Sequence, residues 1–149
     1  MQKRNSYIVI LIIAIVFGAL FFSNTRPTFY NDSGIKALRN GEYEKALNYF
    51  NKALMAKPDF AIVYYNIAIV FTKINRREDA VDALSKSIEL YPEFNSAHYE
   101  LGQIYLADNQ LDEALKEFKI CESIESTEDP ELTRLIREIE FKLQNDIKE

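Results

Sequence analysis

Reactive chemistry needs histidine, cysteine, carboxylate or clustered glycine at spacings that bring the groups together, and this sequence supplies little of it. His98 is the single histidine, and one histidine cannot anchor a multi-histidine metal site. Cys121 is the single cysteine, so no internal disulfide can form, and any redox role would rest on one isolated thiol. The glycines Gly18, Gly34, Gly41 and Gly102 stand apart, so no glycine-rich loop can cradle a phosphate. Carboxylates are plentiful, but they recur at outer helix positions, where a solvated face explains them. Asn31-Asp32-Ser33 spells a glycosylation triplet on a segment that reads as helix, and it is given no weight. No catalytic residue, metal ligand or cofactor follows from this inventory. The chain is expected to bind rather than to catalyse.

The charge distribution narrows what it could bind. All 23 acidic residues lie after Pro27, against 15 of the 18 basic ones, which leaves that segment at −8. Such a domain repels phosphate backbones, so nucleic acid is excluded as a partner. The 48% hydrophobic and 28% charged content is that of a folded chain. Four glycines and four prolines in 149 residues point to long elements joined by short turns, hence to helices.

Ahead of this domain, Tyr7 to Phe22 is a continuous uncharged run. At about 1.5 Å per residue it reaches roughly 24 Å as a helix, close to a ~30 Å hydrocarbon core. In lipid its backbone must pair within the segment, which favours helix despite the many Ile and Val residues. The expectation is a basic flank over 1–6, a transmembrane signal-anchor helix over 7–22 and a linker over 23–26. The rival is a cleaved secretory signal peptide, which would release the domain. Lys3 and Arg4 precede the run and Arg26 alone closely follows it. The positive-inside rule therefore places the N-terminus in the cytoplasm and the domain on the outer side.

The domain repeats with a period of 34 residues, marked by Pro58, Pro92 and then Ser126, which stands where a third proline would fall. The frames are 27–60, 61–94 and 95–128. Position 8 is Gly34, Ala68, Gly102; position 20 is Ala46, Ala80, Ala114; position 27 is Ala53, Ser87, Cys121. Small residues there let two helices approach, while Phe50, Leu84 and Phe118 at position 24 fill the space between them. Positions 4, 7, 8 and 11 form one helical stripe, and 20, 24, 27 and 28 another. Gly41, Asn75 and Asn109 at position 15 suit the left-handed residue that ends a helix. Each frame thus reads helix A, turn, helix B, break. His98 falls at position 4, as an interhelical packing residue, and Cys121 at a small core position.

These residues resemble the tetratricopeptide repeat: Tyr30, Gly34, Tyr43, Ala46, Phe50, Ala53 and Pro58 in the first copy; Tyr64, Phe71, Ala80 and Pro92 in the second; Leu101-Gly102, Tyr105, Ala114 and Phe118 in the third. Ser33 and Ala37 depart from the pattern, which predicts a loosely held first helix. Leu132, Leu135, Ile136 and Ile139 continue the stripe into a fourth frame. Glu131 to about Asn145 then forms a capping helix within 129–149, with Glu131, Arg134, Arg137, Glu138 and Lys142 facing water. The fold class is all-α: a right-handed superhelix of three helix-turn-helix repeats plus a C-terminal cap, after one transmembrane helix.

The resemblance implies a concave groove lined by the A helices: Asn31, Ile35, Leu38 and Arg39 from the first repeat; Ile62, Tyr65, Asn66, Ile69 and Lys73 from the second; Tyr99, Glu100, Gln103 and Leu106 from the third. Ile62, Tyr65, Ile69 and Tyr99 are not needed for the core, so they read as a partner surface for a peptide or an amphipathic helix. Some members of the family hold acidic chaperone tails in a basic clamp. The clamp positions here carry Asn31, Ile35, Asn66, Ser96 and Glu100, and of these Asn66 alone fits. The expected role is scaffolding of a membrane or envelope complex. The alternative is a scaffold in which copies of the chain fill each other's grooves.

Overall fold

The computed structural model describes residues 12–13, 26–124 and 129–146. The expected span at 7–22 lies outside the described residues, apart from Ile12 and Ile13, which are helical and exposed. Among the described residues no helix is long and apolar enough to cross a membrane. The chain divides into two compact units, Met1–Asp59 and Phe60–Glu149.

In the first unit, helix α1 covers 26–39 and α2 covers Tyr43–Ala56. Arg26, assigned above to the linker, is already helical. Asn31, Gly34 and Ala37 are buried on α1, and Ala46, Phe50 and Ala53 on α2. Their meeting point shows why position 8 is glycine: a Cβ on Gly34 would lie 2.6 Å from Cδ1 of Phe50. Despite Ser33 and Ala37, α1 runs unbroken to residue 39, with the Ser33 hydroxyl donating to the Phe29 carbonyl at 2.9 Å.

The second unit comprises α3 (Ala61–Lys73), α4 (Arg77–Leu90), α5 (Asn95–Ala107), α6 (Leu111–Ile124) and α7 (Pro130–Asp146). Each helix packs on the next in sequence. Within each pair the small positions sit against large ones. A Cβ on Gly102 would stand 2.8 Å from Cε1 of Phe118, while Ala68 and Leu84 are fully buried. Position 27 also pins the pair polarly. The Ser87 hydroxyl donates to the Ala61 carbonyl at 2.9 Å, and the Cys121 thiol to that of Asn95 at 3.6 Å. Helix B is thereby tied to the first residue of its own helix A.

Three turns share one hydrogen-bond pattern. Gly41, Asn75 and Asn109 have φ of 75°, 59° and 59°. The N–H groups of these residues donate to Leu38, Thr72 and Leu106, and the next N–H in each case donates to Ala37, Phe71 and Tyr105. This paired arrangement satisfies carbonyls that the helix end leaves open. At the far end of each pair, α2 and α4 stop two residues before Pro58 and Pro92, with Lys57 and Tyr91 turned to extended angles as a following proline requires. Ser126 lies outside the described residues. Because a β-branched side chain is strained in the left-handed region, Asn75→Val is expected to lower stability by about 1–2 kcal/mol. Asn75→Gly should leave it unchanged or raise it. Urea denaturation midpoints of the two variants check this, and equal midpoints would remove the conformational explanation.

Candidate functional site

Helix α7 decides where the site ends. Its start is set by Asp129, whose Oδ1 accepts the N–H groups of Glu131 (2.9 Å) and Leu132 (3.3 Å), with Pro130 at the first helical position. Leu132, Ile136 and Ile139 then bury against Leu111, Ala114, Phe118 and Cys121, with Leu135 and Leu143 at the margin. Each large aliphatic group contributes about 1.5–3 kcal/mol by burial. The polar row opposite is left outside.

The A helices of the second unit bring Tyr65 (α3), Tyr99 and Glu100 (α5), and Asp129 and Leu132 (at the start of α7) to a cleft of about 190 Å³. Tyr99 is shared with a second cleft of about 310 Å³, whose other walls are Gln103, Leu135 and the polar row Glu131, Arg134 and Glu138. The two form a groove running from α3 past α5 to α7. Its aromatic rings are held from behind: Tyr65 packs on Phe94 with centroids 5.1 Å apart, and Tyr99 meets Phe118 edge-on at 5.7 Å. Ring position is therefore set by core contacts, yet Tyr99 remains 39% exposed.

Electrostatics single out Glu100. Burial pushes its carboxyl above the usual carboxylate range, and the Lys73 charge draws it partly back. Burial also raises the Tyr65 hydroxyl, and the Glu100 charge adds to the rise. Glu100 therefore interacts electrostatically with both Lys73 and Tyr65. Arg134 is held by Glu138 at 2.9 Å.

Of the residues expected in the groove, Tyr65, Tyr99, Glu100 and Gln103 line it. Ile62 is exposed on α3, one turn before Tyr65; Ile69 is half-buried and Lys73 exposed further along the helix. Two expectations are corrected. Asn66 is buried at 8% exposure, because position 6 falls on the inner side of α3. Leu106 is half-buried and packs against the apolar cluster formed by α6 and α7. Ile35 and Leu38 are half-buried, Arg39 exposed and Asn31 buried, all on α1 in the first unit. The groove walls supplied by Glu131, Arg134, Leu135 and Glu138 were missed: their spacing identifies a capping helix, but not the neighbour beside its polar row. Phe94 as a platform for Tyr65 was also missed, although Phe60 and Phe94 both close their frames.

His98 is packed, as expected, and buried at 4% exposure. Nε2–H donates to the Pro92 carbonyl at 2.9 Å, and Nδ1 shares a hydrogen bond with Oε2 of Glu117 at 2.6 Å. Both ring nitrogens are occupied, one by α6 and one by the turn before α5. No group of three or more potential metal ligands occurs among the described residues.

The repeat geometry defines the class, and comparison confirms it. The tetratricopeptide-repeat family model matches residues 31–76 and 65–120. The chain belongs to the tetratricopeptide-repeat family. An uncharacterised protein of Methanocaldococcus jannaschii is 33% identical over 55 residues, which cover 37% of this chain and 64% of that relative, so the match spans less than two thirds of the relative's length. Among solved structures, the first tetratricopeptide domain of Spaghetti (RPAP3), bound to an HSP90 peptide, is similar at a TM-score of 0.72 and 21% identity, over 80% of this chain and 94% of that one. The N-terminal domain of stress-induced protein-1 from C. elegans is similar at 0.71 and 24%, over 79% and 97%. At these identities the likeness is one of fold.

Proposed function

We propose that this chain is a protein-interaction module whose α3–α5–α7 groove receives an extended segment or amphipathic helix of a partner protein. The observation that carries this is the pair Tyr65 and Tyr99, held from behind by Phe94 and Phe118 while presenting ring surface to an open cleft. Rigid, amphipathic rings of this kind concentrate binding energy at low entropic cost. The peptide-bound state of a domain with the same fold supports the mode of binding. The segment 7–22 anchors the module in a membrane with the groove on the outer side. Tethering raises its effective concentration for partners at that surface, as a scaffold for a membrane or envelope complex requires.

Photo-crosslinking from positions 65 and 99 in native membranes tests this. A discrete foreign adduct at both positions, lost on Ile69→Glu, is the expected result. Adducts with copies of the same chain alone would replace the proposal with a self-associating scaffold, and no adduct at either position would remove the groove as the working surface.

A further inference from the structure

We propose that the cleft between Tyr65 and Tyr99 seats an arginine or lysine side chain, so that the docked segment is a basic peptide of another protein. This rests on the groove-binding function above and specifies its partner.

Three observations converge. Glu100 is half-buried in the cleft, and among the described residues its carboxyl has no hydrogen-bond or salt-bridge partner, only the longer-range pull of Lys73. A carboxylate removed from water without a partner is costly, and burial indeed holds this one above its ordinary range. A cation entering the cleft would supply what the fold omits. Second, the walls beside Glu100 are the two tyrosine rings, whose faces attract a guanidinium or ammonium. The volume of about 190 Å³ amounts to roughly six waters, room for one long side chain.

The third observation is the charge of the surroundings. Asp129 lines the same cleft, and Glu131 and Glu138 line its continuation. Arg134 pairs with Glu138, while among the described residues Asp129 and Glu131 have no salt bridge and Lys73 acts on Glu100 only at longer range. The segment after Pro27 carries −8, which steers a basic partner from a distance. An acidic peptide would meet repulsion at Glu100, Asp129 and Glu131. Leu135 and the exposed part of α3 offer apolar surface to either side, so the cationic residue should be flanked by apolar ones.

The test uses the full-length chain in lipid nanodiscs and a phage-displayed library of random 12-residue peptides. Selected peptides should share an arginine or lysine. Changing that residue to glutamine should weaken binding by about tenfold to a hundredfold, the range for a charged hydrogen bond. Glu100→Gln should weaken the parent peptide equally and leave no further loss for the peptide change, since both alter one contact. The variant is expected to fold. A carboxyl raised in the folded state stabilises below its ordinary range near 4.5 and loses that contribution as pH rises through the folded value, so Glu100→Gln should be at least as stable as the parent at neutral pH. Selected peptides without a basic residue, displaced by Ile69→Glu, would overturn the cationic pocket and leave the groove function standing. No enrichment over empty nanodiscs would overturn both. Enrichment of this chain's own basic segments would replace the foreign partner with a second copy.

Discussion

Phe118→Ala is expected to destabilise the second unit by about 3–5 kcal/mol, the usual cost of truncating a buried phenylalanine. Against a total of about 5–15 kcal/mol for a domain, this is a large share. The ring is fully buried and lies where three helices meet. On the α5 side it occupies the space that Gly102 opens, on the α7 side it shares a core with Leu132, Ile136 and Ile139, and at its edge it supports Tyr99. None of these helices can close the gap without losing the others' contacts, so a cavity persists. Urea denaturation of the full chain, followed by far-ultraviolet circular dichroism and tyrosine fluorescence (there is no tryptophan), measures the loss. Gly102→Val supplies a cross-check. It should clash in the parent, where a Cβ would come within 2.8 Å of the ring, and be better tolerated beside Phe118→Ala. A loss under about 0.5 kcal/mol, within the range of surface substitutions, would mean that Phe118 does not hold the unit together.

The parts of the fold legible in the sequence are those in which one residue type answers one local demand. Gly41, Asn75 and Asn109 had to be residues that accept a positive φ, and they have one. Glycine at 34 and 102 faces phenylalanine at 50 and 118 because volume must be conserved across each helix pair. The stripe Leu132, Leu135, Ile136 and Ile139 placed α7 within about a residue of its observed ends. What escaped the sequence depends on neighbours that periodicity does not specify. Position within a repeat tells which side of a helix a residue occupies, but not what covers that side. Leu106 therefore packs into the apolar cluster of α6 and α7, and Asn66 is buried. The same limit hid the second role of α7. Its apolar stripe closes the edge of α6, and its polar row, read as facing only water, becomes the wall of the groove opposite Tyr99 and Gln103. The groove consequently includes the cap that solubility demands of a repeat array, and trimming that cap would remove binding surface along with stability.

His98→Ala is expected to cost about 1–3 kcal/mol, the range for leaving buried polar groups without their hydrogen-bond partner. The side chains of His98 and Glu117 are 5% and 12% exposed. Removing the imidazole leaves the Glu117 carboxylate with little access to water and strips the Pro92 carbonyl of the donor it has in Nε2–H. The environment is already unfavourable to charge: burial, and then the charges of Glu117 and Glu113, hold the nearby Tyr105 hydroxyl above its ordinary range. Removing both partners should cost much less than the two single losses combined. The first and second repeats carry Tyr30 and Tyr64 where the third has His98, so an aromatic ring suits the position. His98→Tyr combined with Glu117→Leu is therefore expected to approach the stability of the parent, because replacing both partners of a buried hydrogen bond by well-packed groups can be nearly neutral. Denaturation midpoints of the four proteins complete a double-mutant cycle using His98→Ala and Glu117→Ala. A coupling of at least about 1 kcal/mol is the expected result. Strictly additive losses would mean that the imidazole acts as packing alone, and that the hydrogen bond to Glu117 contributes nothing to holding α5 against α6.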